Sequence, residues 1–545
     1  MKNSKNNTTN LPIHSTGLKG LKEHFSSDIT SGFFIFLLAL PLSLGISKAS
    51  DFPAIMGLIT AMIGGIIVSW ISGSELTIKG PAAGLIVIVS GAVAELGKGD
   101  PLLGWHLALG AIFVAGILQI VFGLVKLGTL VDFFPLSAIH GMLAAIGIII
   151  ISKQAHLIMG VTAAFSNGEI AKEPIDLLLT IPNSLMHPNI SVFIIGLVSL
   201  LVVFAWPLIK QPLLKKIPSP LIVLFISIPL AKWLNLDSKY LIHFGDNFID
   251  TFKWNIDFSG ISQSSIFWKY VIMFALVGSL ESLLTVKAID LLDPFKRKSK
   301  TNKDLVAVGI GNSVVSLFGG LPMISEVARS SANVSNGGKT RFANFWHGIF
   351  MLLFLIFDLE FSDLIPQASL AALLIGVGYK LASPKEFGRM AKIGPEQLFV
   401  FVITVITTVL TDLLVGISVG IIVKLATQYF MGVPMRSFFS AHTQIESNIL
   451  HVYGAAVFSN WIGINKQITK FSRNQNYSID FTHCNVVDHT VMDNLHHLVF
   501  EFENQGGKLE IIGLDEMKYT SASKHHASTR LRAKSDRFTA FGLKK

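Results

Sequence analysis

Between Gly32 and Phe430 the chain is a succession of apolar stretches with few charges, and this limits its fold more than any other feature. A helix needs about 20 apolar residues to cross about 30 Å of hydrocarbon. Residues 33–46, 55–71, 107–125, 130–151, 192–209, 271–288, 345–357 and 398–429 meet or approach that length, and the last must be two spans turning near Asp412. With the shorter, interrupted stretches they predict roughly fourteen spans. The composition agrees, with 51% hydrophobic and 14% charged residues where soluble domains carry about 25% charged. The chain reads as a polytopic α-helical membrane protein.

Residues 1–25 are polar and lysine-bearing, with no apolar core of a cleavable signal, so this segment is expected to stay in the cytoplasm. The loops after even-numbered spans carry Lys126, Lys210, Lys215, Lys216, Lys296, Arg297, Lys298, Lys339, Arg341, Lys380, Lys385 and Arg389. Those after odd-numbered spans carry mostly acids, such as Asp51, Asp100 and Asp237. The bias predicts an inner-membrane, multi-pass protein with both termini in the cytoplasm. It also explains the net charge of +9 without a nucleic-acid partner. The single cysteine, Cys484, cannot form an internal disulfide. No metal-ligand spacing, nucleotide loop or nucleophile elbow is found, so no metal, cofactor or enzyme activity is expected.

Two stretches broken by glycine and proline, 79–84 and 319–325, occupy matching places in the two halves. Irregular backbone is tolerated within a bilayer only where it lines a cavity, so paired breaks point to a binding site at the midplane of an inverted repeat. A half-helix beginning there presents free N–H groups and the positive end of its dipole, which favours an anion. Glu326 and Arg329 follow the second break three residues apart on one helical face. Arg329 is the leading anion ligand, because its fork of donors suits an oxyanion. Pro81, Ala82, Ala83, Gly84, Ser325, Glu326, Ala328 and Ser330 complete the expected substrate-binding set. Glu281 lies in an apolar span with no cation nearer in sequence than Lys287, and with Glu326 it is a candidate for ion coupling. His106, His140 and His347 are read as packed or interfacial histidines.

The runs Glu281-Ser282-Leu283-Leu284, Gly311-Asn312, 317–322, Ala328–Val334 and Gly337–Thr340, with 39–45 and Gly80-Pro81-Ala82-Ala83, resemble the SulP family of anion transporters. The resemblance implies a seven-plus-seven inverted repeat. Spans one to four and eight to eleven would form a core domain, and spans five to seven and twelve to fourteen a gate domain. It also implies homodimers and elevator-like transport. Family substrates include sulfate, bicarbonate, chloride, oxalate and dicarboxylates. Sulfate is the first expectation, followed by bicarbonate coupled to sodium or protons. An uncoupled anion channel or exchanger, or a membrane-anchored anion sensor, is a further alternative. Ala328, Leu42 and Glu326 depart from residues that many members carry.

The membrane domain is expected over residues 26–432 and a small soluble domain over 440–520. The soluble part reads as strand 448–458, helix 460–471, strand 477–481, helix 491–502 and strand 508–512. The 479–488 segment and the helix after it are similar to the STAS domain that ends SulP proteins. Thr490 occupies the turn that is phosphorylated on serine in relatives of anti-sigma-factor antagonists, and is the candidate phosphoacceptor, with Asp488 or Thr490 as an ordinary helix cap the plainer reading. Residues 521–545 are expected to form a basic tail.

Overall fold

The computed structural model describes residues 17–128, 134–164, 173–209, 211, 217–242, 256–263, 265–295, 297–357, 364–411 and 413–532. The turn near Asp412, most of the 1–25 segment, the loop lysines 210, 215, 216 and 296, and the tail beyond 532 lie outside the described residues. Among the described residues, six helices are long and apolar enough to cross a membrane: Phe25–Ala49, Pro101–Leu124, Leu136–Met159, Ile190–Leu208, Ser265–Asp290 and Leu413–Phe430. Five shorter apolar helices accompany them: Ile55–Ile71, Ala83–Gly97, Ser219–Trp233, Phe342–Phe357 and Pro395–Leu410. The expected double span at 398–429 is two helices, ending at Leu410 and restarting at Leu413.

The chain forms two compact units, residues 1–128 with 201–370 and residues 129–200 with 371–545. In the first unit, Pro101–Leu124 crosses Thr301–Leu317 through facing glycines. A Cβ on Gly116 would stand 2.7 Å from the Gly309 carbonyl oxygen, and one on Gly309 2.6 Å from that of Gly116. Small residues let helix backbones approach, which is how helices associate where lipid is as apolar as leucine. In the second unit Gly141 packs in the same way on Phe401. Ser219–Trp233 falls in the first unit, where it packs on Phe25–Ala49. Its buried residues, Pro220, Val223, Leu224, Ser227, Ile228 and Ala231, form one stripe at helical spacing.

Beyond the spans, a seven-stranded sheet is built from β3 (His442–Glu446), β4 (Ile449–Ala456), β5 (Asn476–Asp480), β6 (Cys484–Val487), β7 (Lys508–Ile512), β8 (Lys518–Tyr519) and β9 (Arg530–Leu531). Its order is β7-β5-β4-β6-β9-β8, with β3 antiparallel to β4. The β7-β5-β4-β6 portion is parallel. Helices Trp461–Ile468 and His489–Asn504 contribute Trp461, Ile464, Leu495 and Phe502 to a core with Leu450, Val452, Ile479 and Phe481. β3 and β6 were not read as separate strands from the sequence. The expected tail also begins too early. β9 pairs with β6, and Ser521, Ser528, Thr529, Arg530 and Arg532 are buried. Arg532 donates to the Cys484 carbonyl and to Glu516. Residues 521–532 therefore belong to the domain, because their backbone completes its sheet.

Candidate functional site

The site is assembled within the first unit where both broken stretches leave the helix. β1 (Lys79–Pro81) pairs antiparallel with β2 (Met323–Ser325), in the register Lys79 to Ser325, Gly80 to Ile324 and Pro81 to Met323. Two flanking hydrogen bonds extend the ladder, from Ala82 N to Pro322 O and from Glu326 N to Ile78 O. Ala83–Leu85 then starts the Ile86–Gly97 helix, and Glu326 caps Val327–Ser335 without a side-chain hydrogen bond. Proline and glycine make the break. Pro81 and Pro322 have no N–H to offer a helix, and Gly319 takes a φ of +80° that favours glycine.

Amide side chains brace this irregular backbone. Met323 N donates to Asn312 Oδ1 at 2.6 Å, and Asn312 Nδ2 donates to Gln119 Oε1. Asn333 Nδ2 donates to Leu76 O, Ser31 Oγ donates to Asn333 Oδ1, and Asn344 receives Lys79 N. Asn312 and Asn333 are among the residues that carried the family resemblance, and their role here is to satisfy backbone groups that have left the helix.

Arg329 is fully buried. Its Nη2 donates to Ser43 Oγ at 3.2 Å and its Nε lies 3.8 Å from Glu326 Oε2. Among the described residues Nε and Nη1 have no hydrogen-bond partner, and neither do Glu326 Oε2 and Glu281 Oε2. Two glycines make room for these groups. A Cβ on Gly80 would overlap Arg329 Nη1, and one on Gly84 would overlap the Glu281 carboxylate. Unsatisfied donors and acceptors of this kind are costly in a dry interior, and these lie near the two half-helix starts.

The expected site residues separate into groups. Pro81, Ala82, Ala83 and Gly84 are buried and brought against 323–326 by the β1–β2 pairing. Ser330 is committed elsewhere: its hydroxyl donates to Glu326 O and accepts from Ile78 N. Ala328 is exposed, whereas Arg329 and Ser330 beside it are buried. His347 is buried with neither ring nitrogen hydrogen-bonded and within electrostatic reach of Arg329. His140 lies instead in the second unit, 3.9 Å from Glu386. Thr490 is also in the second unit, 2% exposed, and its hydroxyl accepts from Leu136 N at 3.3 Å. Asp488, not Thr490, caps the helix by accepting from Val491 N. Thr490 is thus placed for docking and is not presented to a modifying enzyme.

One pair escaped the sequence reading. Lys79 Nζ, fully buried, lies 2.9 Å from both oxygens of Asp304, 2.7 Å from Thr77 Oγ1 and 2.6 Å from Ser325 Oγ. Asp304 also receives Ser72 Oγ, Gly73 N and Ser325 Oγ. Ser325, expected at the anion, is consumed by this network and by Ser282. A lysine inside a glycine–proline break was the signal available in the sequence.

The model of the sulfate permease family matches residues 25–404. The putative sulfate transporter YvdB of Bacillus subtilis is 28% identical, covering 70% of this chain and 69% of its own length. YbaR, a putative sulfate transporter of the same organism, is 25% identical, covering 90% and 94%. The bicarbonate transporter BicA of Picosynechococcus is 25% identical, covering 71% and 68%. The solved transmembrane domain of a cyanobacterial BicA superposes with a TM-score of 0.64 at 24% identity, over 72% of this chain and 97% of that one. SLC26A9 superposes at 0.63 with 14% identity over 96% of this chain, which extends the shared fold into the C-terminal domain. The broken paired spans, the surrounding helices and the matched sequence agree: this chain belongs to the sulfate permease family, whose members are membrane anion transporters.

Proposed function

We propose that the protein is a secondary active transporter of inorganic anions, with sulfate as its first substrate, bound between the two half-helices by Arg329 and by the start of the Ala83–Gly97 half-helix. The observation that carries this reading is the buried guanidinium of Arg329, with Nε and Nη1 unspent among the described residues, beside Glu326, whose Oε2 is also unpaired, as is Oε2 of the buried Glu281. Arg329 supplies one positive charge, and Glu281 and Glu326 supply up to two negative ones. An incoming anion is repelled while both acids are ionised and is accommodated once one of them holds a proton. Glu281 and Glu326 are therefore the coupling groups of the proposal. Lys79 and Asp304 cancel each other and leave this balance unchanged.

The protein would act as a homodimer in the inner membrane, with both termini and the C-terminal domain in the cytoplasm. Its transport would follow the elevator-like movement that the family resemblance implies. The test is uptake of labelled sulfate into proteoliposomes under an inward proton gradient. Arg329→Ala is expected to reduce uptake at least tenfold, since a charge-assisted hydrogen bond is worth about 1.5–3 kcal/mol. Gradient-dependent uptake that survives the substitution would remove Arg329 from the site. Bicarbonate is the second reading, supported by the similarity to BicA over 71% of the chain. Absence of sulfate uptake together with sodium-driven bicarbonate uptake would favour it.

A further inference from the structure

Six of the sixteen histidines gather where the C-terminal domain meets the membrane helices of the second unit: His140, His489, His496, His497, His525 and His526. The junction is held by a strap, residues 520–529, that joins β8 to β9. Ser521 and Ser523 donate to the Lys392 carbonyl, and Ser528 donates to that of Ile393, at the end of the Pro384–Ile393 helix. Thr520 donates to Glu396, while Gln397 donates to Thr529 and accepts from Lys424. Deeper in, Gln428 donates to Asp488 and Leu136 N donates to Thr490.

Histidines sit on both sides of this strap. His489, 2% exposed, bonds the Ala527 carbonyl at 2.8 Å through Nδ1. The rings of His525 and His526 are 4.3 Å apart, and those of His496 and His526 are 4.6 Å apart. Charges of both signs face them, with carboxylates in the majority. The Leu136–Met159 helix contributes His140, the Pro384–Ile393 helix Arg389 and Glu386, the Pro395–Leu410 helix Glu396, and Leu413–Phe430 Lys424. The His489–Asn504 helix contributes Asp488, Asp493, His496 and His497. Burial opposes ionisation of Asp493, but the hydrogen bond from His497 and the charges of His489, His497 and Arg389 outweigh it, bringing its carboxyl to about 2. Asp493 therefore stays ionised near neutrality.

We propose that this junction is an acid-released latch: the strap holds the C-terminal domain to the membrane helices at neutral pH, and proton uptake by the histidines lets it go. With the domain in the cytoplasm, as proposed above, the pH sensed is that of the cytoplasm. Burial holds the docked His489 down, to about 4, and burial together with His525 and His496 lowers His526. Release returns each toward the ordinary value of about 6.5. The released state then binds more protons, so docking is intact above that value and weakens as the pH falls through it. For His489 this weakens docking about tenfold between pH 7.5 and 5.5.

The experiment uses the full chain in detergent micelles with a metal chelator present, and spin labels on Lys385→Cys and Lys508→Cys, both exposed positions. Cys484 is fully buried, and that burial pushes its thiol up, so it does not compete for label. The expected result is one narrow distance distribution at pH 7.5 and a second, separated population at pH 5.5. His489→Gln should flatten this response. His525→Gln with His526→Gln, at the domain surface, should blunt it without endangering the fold. An unchanged distribution at both pH values, or the same response in the wild type and in both variants, would overturn the latch. The readout involves no substrate, so its outcome is independent of the anion site.

Discussion

Lys79→Met is expected to destabilise the protein by about 3–5 kcal/mol, the usual effect of stranding one member of a buried ion pair. Asp304 would lose the ammonium that lies 2.9 Å from both of its oxygens and keep only Ser72, Gly73 and Ser325 as donors. Ser325 would lose its 2.6 Å contact, loosening the strand that fixes where the second half-helix begins. The double variant Lys79→Met with Asp304→Asn should recover most of the loss, because a neutral amide keeps an acceptor for Gly73 and leaves no uncompensated charge. Thermal unfolding of the purified protein in detergent measures both. Equal destabilisation in the single and double variants would show that the pair's electrostatics are not what holds the β1–β2 ladder.

That pair marks the limit of what the sequence discloses. The spans were legible because apolar length is a one-dimensional property. The breaks were legible because glycine and proline act on their own backbone. Arg329 and Glu281 stood out because a charge inside an apolar run needs a reason wherever it folds. Asp304 was silent because it lies near the start of the Thr301–Leu317 helix, among loop charges, and only the fold carries it to Lys79, 225 positions away. Ser325 and Ser330 were misjudged for a related reason. A hydroxyl beside a presumed site looks available until its partners are known, and here Asp304, Lys79, Ser282 and the backbone of Ile78 and Glu326 already engage them. The strand at Arg530–Leu531 was hidden by composition, since a basic segment resembles a tail until its backbone is seen to pair with β6.

Gly84→Ala should separate transport from stability. The new methyl group would occupy the space of the Glu281 carboxylate, and Gly80→Ala would do the same to Arg329 Nη1. In both cases the displaced atoms are the ends of flexible side chains, which can swing aside while the backbone stays in place. The expected result is near-wild-type thermal stability with uptake reduced about tenfold or more, the equivalent of losing one charge-assisted hydrogen bond at the site. Gly57→Ala provides the contrast, because there the added carbon meets the backbone carbonyl of Ser43, which cannot turn away. That variant should lose stability first, and transport only as a consequence. If Gly84→Ala and Gly80→Ala transport normally, Glu281 and Arg329 need not occupy the positions seen here for the anion to bind. If they unfold like Gly57→Ala, the two glycines serve helix packing and the space beside them is not a site. Only preserved folding with lost uptake fits a cavity whose charged groups are held ready by the absence of two β-carbons.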